Sequence, residues 1–290
     1  MEQGKKQRTP EIDKLYQQVL SYRTTDHFKK LLAFVSKFRD IAPYNAMLVE
    51  MQKPGSVYVA SAEDWIMRFD RRPKLGARPL VILMPFGPVS FVYELEDTEG
   101  RDVPDELLHP FTQSTAITKE MLSRLTSNLL SEGIVLETGD YGANLGGYIT
   151  TLDAPRIVCR PDGKKVRALF AIVLNGNHTV TSRYTTIVHE LGHLFCGHLY
   201  KPEAKWLPAR YHLAENEMEF EAETVNWLIC QRLGIENCSD RYLSGYLDAN
   251  DEIPEISVDK IMKAAGNVEA LINESKRQIR KELNVENKNG

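Results

Sequence analysis

The sequence has few cysteines, no long apolar run and little excess charge, and each absence narrows the possible functions. Its four cysteines include no C-x-x-C pair, so we interpret all of them as reduced thiols. No apolar segment approaches the length of a membrane span, and residues 1–10 lack the apolar core of a secretory signal. The formal net charge of −4 gives no general attraction to nucleic acid or acidic membranes. With 42% hydrophobic and 26% charged residues, we expect a globular cytoplasmic protein with no membrane partner.

Residues 185–195 stand out because they place the pattern H-E-x-x-H on an apolar background. Residues four apart share one face of an α-helix, so His189 and His193 can direct both imidazoles at one metal ion. Neutral imidazole is a good zinc ligand. Glu190 lies beside the first histidine, where a general base that activates water is needed. The apolar neighbours predict a mostly buried helix. Burial of these polar side chains costs free energy unless a partner such as a metal ion binds them.

A catalytic zinc ion held by two histidines usually needs a third protein ligand. The longer pattern H-E-x-x-H-x-x-G-x-x-H is excluded, because Cys196 and Leu199 stand where its glycine and third histidine would be. A glutamate on the following helix is the other option, and Glu219 is our first choice. Glu223 lies one turn further on the same face, where it can accept a ring N–H from a ligating histidine.

The other acidic residues around Glu219 leave an alternative open. Glu215, Glu217 and Glu221 fit a solvated helix face, which is the simplest interpretation of an acidic run. Glu221 is nevertheless the reserve candidate for the third ligand. Tyr211 and His212, just before this helix, are either ordinary loop residues or an additional donor to a developing oxyanion.

The segment before the H-E-x-x-H helix has a possible mechanical role. Arg167–Leu174 is the strongest strand prediction in the chain, and Asn175–Asn177 is a turn that leads to a helix starting near Ser182. If this strand has a free edge, it can pair with an extended peptide and hold a scissile bond beside the metal.

The chain as a whole is predicted to be α+β with two domains. Residues 1–110 are expected to form the smaller α+β domain and residues 111–290 the domain that contains H-E-x-x-H. The polar segment 96–110, with its prolines and glycine, is the predicted boundary.

Basic residues cluster in the first of these domains, close to Trp65. A groove for single-stranded nucleic acid needs positive charge for the phosphates and aromatic rings for the bases. The same composition also fits a solvated loop after a helix, and the sequence leaves both interpretations open. The basic residues are Arg68, Arg71, Arg72, Lys74 and Arg78.

The segment Arg183–His193, followed by Glu219–Glu223, resembles the ImmA/IrrE family of zinc metallopeptidases. The shared features are a strand ending in Asn175, a short turn, the H-E-L-G-H helix, and a later helix with Glu219, Ala222 and Glu223. The resemblance covers roughly residues 115–235. It implies a zincin-like metallopeptidase domain with an edge strand before the H-E-x-x-H helix, zinc on the two histidines and Glu219, and Glu190 as the catalytic residue.

A second resemblance concerns the N-terminal part. Tyr44–Val49, Gln52–Pro54, Trp65 and Arg72–Leu83 resemble the N-terminal domain of ArdC-type antirestriction proteins. This resemblance implies a domain that binds single-stranded DNA ahead of an H-E-x-x-H domain.

Three functional hypotheses follow from these features. The first is a zinc metallopeptidase that cuts a protein or peptide, such as a repressor, with Glu190 passing a proton from water to the leaving amine. The second is an antirestriction-type protein that binds single-stranded DNA and has a largely structural metal site. The third is an interaction module whose metal has four protein ligands, with His198, His212 or Glu221 as the fourth. The glutamate between the histidines favours the first, because a structural site does not need it.

Overall fold

The computed structural model describes residues 25–84, 89–104, 115–235, 253–273 and 280–285, together with Leu243, Leu247 and Ala249. The chain divides into two compact units, Met1–Gln113 with Asn250–Ile253 and Ser114–Ala249 with Pro254–Gly290. The sequence also predicts helical structure over residues 9–52 and a helix over residues 239–247. Of these, residues 9–24 and most of 239–247 lie outside the described residues.

The described part of the first unit combines helices with short antiparallel strands. Its helices are α1 (Thr25–Lys37), α2 (Pro43–Gln52) and α3 (Ala62–Phe69). Its strands are β1 (Val59–Ala60), β2 (Arg71–Pro73), β3 (Leu80–Ile82), β4 (Ser90–Glu94) and β5 (Thr98–Gly100). One sheet has the order β1-β4-β3, and β2 pairs with β5. The sequence predicts two paired strands at Pro79–Pro85 and Val89–Leu95, and the pairing of β3 with β4 confirms this pair within the described residues.

Local sequence explains how α3 begins and what it buries. Ser61 and Asp64 have the spacing of a capping box, and the Ser61 hydroxyl accepts a hydrogen bond from the Asp64 backbone amide, which caps the first turn. Trp65 is fully buried, and its indole N–H donates to the Tyr93 carbonyl at 2.8 Å. The aromatic ring thus joins the helix to strand β4 in the core of this unit.

The second unit contains a mixed sheet and the helices that carry the candidate site. Its helices are α4 (Lys119–Leu129), α5 (Val180–Cys196), α6 (Glu215–Leu233) and α7 (Val258–Asn273). Its strands are β6 (Ile134–Gly139), β7 (Gly147–Cys159) and β8 (Lys165–Asn175), in the order β6-β8-β7. The two units together confirm the α+β class. None of the described helices is long and apolar enough to span a membrane.

The position of β8 corrects one detail of the sequence prediction. This strand precedes the H-E-x-x-H helix, but it is central: β6 pairs with it in parallel and β7 in antiparallel orientation. The nearly continuous burial from Val166 to Asn175 shows that both faces of this strand are covered. The prediction of an edge strand directly before the helix was wrong, and among the described strands of this sheet β7 is at the edge nearest the site.

Candidate metal centre

Helix α5 positions both histidines of the motif. The Thr179 hydroxyl caps its start by accepting from the Ser182 backbone amide at 3.1 Å. Gly197 ends it with φ at 87°, a left-handed conformation that favours glycine. Between these ends, His189 and His193 lie on one face with their rings 4.9 Å apart.

A close approach of two helices brings a third side chain to the histidines. A Cβ atom on Gly192 would lie 3.0 Å from the backbone of Ala222 on α6. A larger residue at position 192 would require the two helices to move apart by a few tenths of an ångström. Glu219 lies about one turn before Ala222, so the same contact places its carboxylate beside both imidazoles.

The donor atoms of His189, His193 and Glu219 converge. The two Nε2 atoms are 3.1 Å apart, and the Glu219 carboxylate oxygens lie 3.4 Å from His189 Nε2 and 3.3 Å from His193 Nε2. Zinc binds such donors at about 2.0–2.2 Å, so adjacent ligands in a tetrahedral site are about 3.3–3.5 Å apart. The donor set and its spacing therefore fit a metal ion of this size.

The charges in this group influence each other's protonation. Hydrogen bonds from the two histidines hold the pKa of Glu219 well below its usual range. Burial alone would lower the pKa of His189, but hydrogen bonds with Glu219 and Glu223 raise it to about 10. The Glu223 carboxylate lies 2.9 Å from His189 Nδ1. Glu223 therefore takes the orienting position that its spacing from Glu219 predicts.

Glu190 lies beside the converging donors and is nearly buried, with 7% of its surface exposed. Its Oε2 atom accepts a hydrogen bond from the Ile149 backbone amide on β7 at 2.9 Å. Burial raises the pKa of Glu190, and the nearby histidines and this amide offset only part of the rise. A carboxyl group with a raised pKa suits proton transfer near neutral pH.

Glu221 is the main correction within the acidic run. We predicted a solvated side chain, but Glu221 is fully buried. Arg210 donates to both of its oxygens at 2.5 and 2.6 Å, and the Ser257 backbone amide donates at 2.7 Å. His198 Nε2 also lies 3.0 Å from it. Nothing in the local sequence around Glu221 reveals these partners, because His198 and Arg210 lie in the segment between α5 and α6 and Ser257 directly precedes α7.

A cavity of about 410 Å³ opens beside the donor group. Its wall combines the motif residues with apolar and aromatic side chains. Tyr148 lines this cavity, whereas Tyr211 and His212 are not among its described lining residues and are exposed. Tyr211 instead packs against Tyr200, with ring centres 4.7 Å apart. The lining residues are Gly147, Tyr148, Ile149, His189, Glu190, His193, His198, Leu199, Met218 and Glu219.

The predicted nucleic-acid site in the first unit has two residues in structural roles. Trp65 is fully buried, so neither face of its ring is available to stack on a base. Arg71 donates to the Thr98 hydroxyl and to the carbonyls of Thr98 and Arg101. These contacts tie β2 to β5, and the prediction of Trp65 as a nucleic-acid contact was wrong.

The remaining basic residues of this patch lie at the surface. Arg72 pairs with Glu99 at 3.1 Å, and Lys74 donates to the Glu96 carbonyl at 2.7 Å. The Arg68 guanidinium lies 5.1 Å from the centre of the Phe69 ring, and its side chain is exposed. Arg78 is exposed as well.

Comparison with solved structures finds a similarity to the antirestriction ArdC protein. No family model matches the sequence, and no curated protein sequence matches it. The fold is similar to the metal-free crystal structure of the antirestriction ArdC protein from the R388 plasmid, with 17% identity over 81% of this chain and 84% of that one and a TM-score of 0.34. The Mn(II)-bound structure of ArdC gives 16% identity over 90% of this chain and 97% of that one, with a TM-score of 0.39. At these TM-scores the function has to be argued from the residues of the site itself.

Proposed function

We propose that this chain is a zinc-dependent metallopeptidase, of the ImmA/IrrE and gluzincin type, which cuts a protein or peptide substrate such as a repressor. The observation that carries the proposal is the convergence of the His189, His193 and Glu219 donor atoms beside Glu190. Three protein ligands leave a coordination position for water or substrate, which is the arrangement of catalytic zinc sites.

The donor chemistry supports the choice of metal. Two imidazoles and one carboxylate suit zinc, whereas magnesium, calcium and manganese prefer oxygen-rich sites. Glu221, the reserve candidate, has both oxygens engaged by Arg210. Glu219 is therefore the third ligand in our proposal.

The mechanism assigns one proton-transfer role to Glu190. Zinc, when bound, supplies Lewis acidity that makes water a better nucleophile and polarises the scissile carbonyl. Glu190 takes the proton from the attacking water and passes it to the leaving amine. The Ile149 amide holds one of its oxygens in place, and burial keeps the pKa of Glu190 raised toward the range in which both steps are possible.

The substrate reaches this site along strand β7. Gly147, Tyr148 and Ile149 form one wall of the cavity. They belong to β7, which pairs with β8 along one edge and, among the described strands, with no strand along the other. An extended peptide can add to such a strand through main-chain hydrogen bonds, with its scissile bond beside Glu190. Met218 and Leu199 provide apolar surface for a side chain next to the cleaved bond.

The Glu190→Gln substitution tests this proposal. We expect wild type and Glu190→Gln to contain about one zinc each by mass spectrometry of purified protein, since Glu190 is not a ligand. Only wild type should cleave a proteome-derived peptide library, with a loss of at least about a hundredfold in the variant. Glu219→Ala should lose the metal, and Glu215→Ala, at an exposed position on the same helix, should keep it.

Two results would contradict the proposal. Absence of metal from wild type purified without chelator would remove the basis for a metallopeptidase. Equal cleavage by wild type and Glu190→Gln would exclude Glu190 as the base. Manganese in place of zinc would overturn the choice of metal alone.

A second candidate function is binding of single-stranded DNA by an antirestriction-type protein with a largely structural metal site. The observation that favours it is the exposure of Arg68, Arg72 and Arg78 in the first unit. It requires that a labelled single-stranded oligonucleotide bind in a salt-dependent manner. Binding should weaken in an Arg72→Gln, Arg78→Gln double variant and be unaffected by Glu190→Gln. Absence of binding at low salt would exclude this function.

A further inference from the structure

His198 lies behind the candidate metal centre, between one of its ligands and a buried carboxylate. We infer that His198 is a positioning residue: with Glu221 and Arg210, it fixes the tautomer and the orientation of His193 and thereby sets the affinity for the metal. This inference rests on the proposed metal site.

The hydrogen bonds define where each ring proton lies. His193 Nε2 faces Glu219 and His189, so the proton of a metal-binding His193 must be on Nδ1. That Nδ1 atom lies 3.0 Å from Nδ1 of His198, which must then act as the acceptor. A neutral imidazole that accepts at Nδ1 carries its proton on Nε2. His198 Nε2 lies 3.0 Å from Glu221 Oε2, so the Nε2–H group donates a hydrogen bond to this carboxylate oxygen.

Glu221 determines which atoms donate in the hydrogen bonds from His193 to His198 and from His198 to Glu221. Its carboxylate is fully buried, and its other contacts are donors: both terminal nitrogens of Arg210 and the Ser257 backbone amide. A carboxylate that receives charge-assisted hydrogen bonds stays an acceptor. His198 Nε2 must therefore donate, and its Nδ1 must present a lone pair to His193.

The same contacts argue against His198 and Glu221 as metal ligands. Both ring nitrogens of His198 are engaged, one by His193 and the other by Glu221. Both carboxylate oxygens of Glu221 are engaged by Arg210. Within the described residues, His198 therefore contacts His193 and Glu221 contacts His198 through hydrogen bonds. Neither side chain has a free atom with which to complete a four-ligand metal site.

The two ligating histidines are therefore supported in different ways. His189 is oriented directly by Glu223, which lies on the same helix as Glu219. His193 is oriented through His198, and this arrangement draws on the end of α5, the loop with Arg210, helix α6 and the start of α7. We conclude that the position of His193 depends on several segments of the second unit.

The experiment measures zinc affinity of the full chain by competition with a chromophoric chelator. His198→Leu removes both hydrogen bonds and should weaken zinc binding about 10–100-fold, the usual range for residues that orient a ligand. His198→Asn keeps an oxygen near the position of Nδ1, so it should recover part of this loss. His212→Leu is the matched control, since His212 is exposed and does not line the cavity, and it should bind zinc like wild type.

A second readout follows the geometry of the site. Cobalt(II) in place of zinc should show an altered absorption spectrum in His198→Leu and a spectrum closer to wild type in His198→Asn. Circular dichroism of the metal-free proteins checks their folding. If His198→Leu does not fold, His198→Gln replaces it, because glutamine can still donate to Glu221 but has no acceptor at the position of Nδ1. It should lose affinity in the same way.

The outcomes separate this inference from the proposed function. If wild type binds no metal, the proposed function fails. If wild type binds zinc and His198→Leu binds it equally well with an unchanged cobalt spectrum, the positioning role is overturned and the proposed function stands. A loss as complete as that of His193→Ala would also overturn the inference, because it would make His198 a ligand.

Discussion

Glu219 and Glu221 are two positions apart on α6, and the helix directs their carboxylates to different partners. Glu219 meets the two histidines at 3.3 and 3.4 Å. Glu221 is rotated by roughly 200° along the helix and is enclosed by Arg210, His198 and the Ser257 amide. Two glutamates in one short segment thus have different surroundings. Glu219 lines the cavity, whereas Glu221 is buried and hydrogen-bonded to His198.

Tyr184 provides a prediction at the same scale. Its hydroxyl is buried and makes no hydrogen bond within the described residues. Burial raises the pKa of Tyr184 to about 12. The phenol is therefore neutral in the folded protein up to a higher pH than in the unfolded chain, whose tyrosine ionises near pH 10. The contribution of the neutral Tyr184 phenol to the free energy of unfolding is therefore complete below about pH 10. It is lost as the pH rises from about 10 to 12, because the unfolded chain ionises first.

Tyr184→Phe should accordingly leave the free energy of unfolding at pH 8 unchanged or raise it by up to about 1 kcal/mol. As the pH rises from 10 to 11, the free energy of unfolding of the variant should increase by about 1 kcal/mol relative to that of wild type. Urea unfolding at pH 8, 10 and 11 measures both effects. Tyr200→Phe is the control, because Tyr200 is 60% exposed. A variant that is less stable at pH 8 by more than about 1 kcal/mol would show that the hydroxyl has a partner.

Sequence was most informative for residues whose spacing is set by a single helix. His189, Glu190 and His193 were identified because the i, i+4 relation fixes their shared face. The burial of Glu221 was missed, since its partners Arg210 and Ser257 are distant in sequence. Trp65 was assigned to a surface patch, because an aromatic residue among basic ones fits both a binding groove and a core.

At the scale of elements, the contact between α5 and α6 decides whether the Glu219 carboxylate reaches the two histidines. Gly192 was visible in the sequence as part of the motif, but its function in helix packing appears only in the structure, where Ala222 occupies the space of a side chain. The position of β8 was missed for a related reason: an apolar strand pattern shows burial but not which strands pair on either side.

Gly192→Ala should separate the two helices and move Glu219 away from the histidines. The helix propensity of alanine favours the variant by about 1 kcal/mol, while overpacking costs about 1–3 kcal/mol. The metal-free protein should therefore lose little stability, about 1 kcal/mol, whereas zinc affinity should fall at least about tenfold. Chelator competition and urea unfolding measure the two quantities.

The control for this prediction is Gly142→Ala, where an added Cβ meets nothing within 4 Å. It should bind zinc with unchanged affinity. Wild-type zinc affinity in Gly192→Ala would mean that α6 can shift without displacing Glu219, and the explanation of this glycine by helix packing would then fail.

At the scale of the whole molecule, the candidate metal centre of His189, His193 and Glu219 lies within the second unit. Within the described residues, Cys196, His198 and Glu221 also lie close together in that unit, but the hydrogen bonds of His198 and Glu221 engage the atoms that could bind a metal. The donors of this centre come from two helices, α5 and α6, that are joined by the connecting segment 197–214. A metal that binds only when α5 and α6 are packed must stabilise that packing.

Zinc removal should therefore act on one unit of the molecule. A ligand that binds only the folded state adds about 2.7 kcal/mol at a concentration of 100 Kd. In hydrogen-exchange mass spectrometry, chelator treatment should speed exchange in peptides from α5 and α6, while peptides from residues 25–84 should exchange at unchanged rates. His189→Ala serves as the control, because its exchange should not respond to zinc. Equal acceleration in both regions of wild type would show that the metal stabilises the whole chain, and no acceleration in either would show that the site contributes nothing to the folded state.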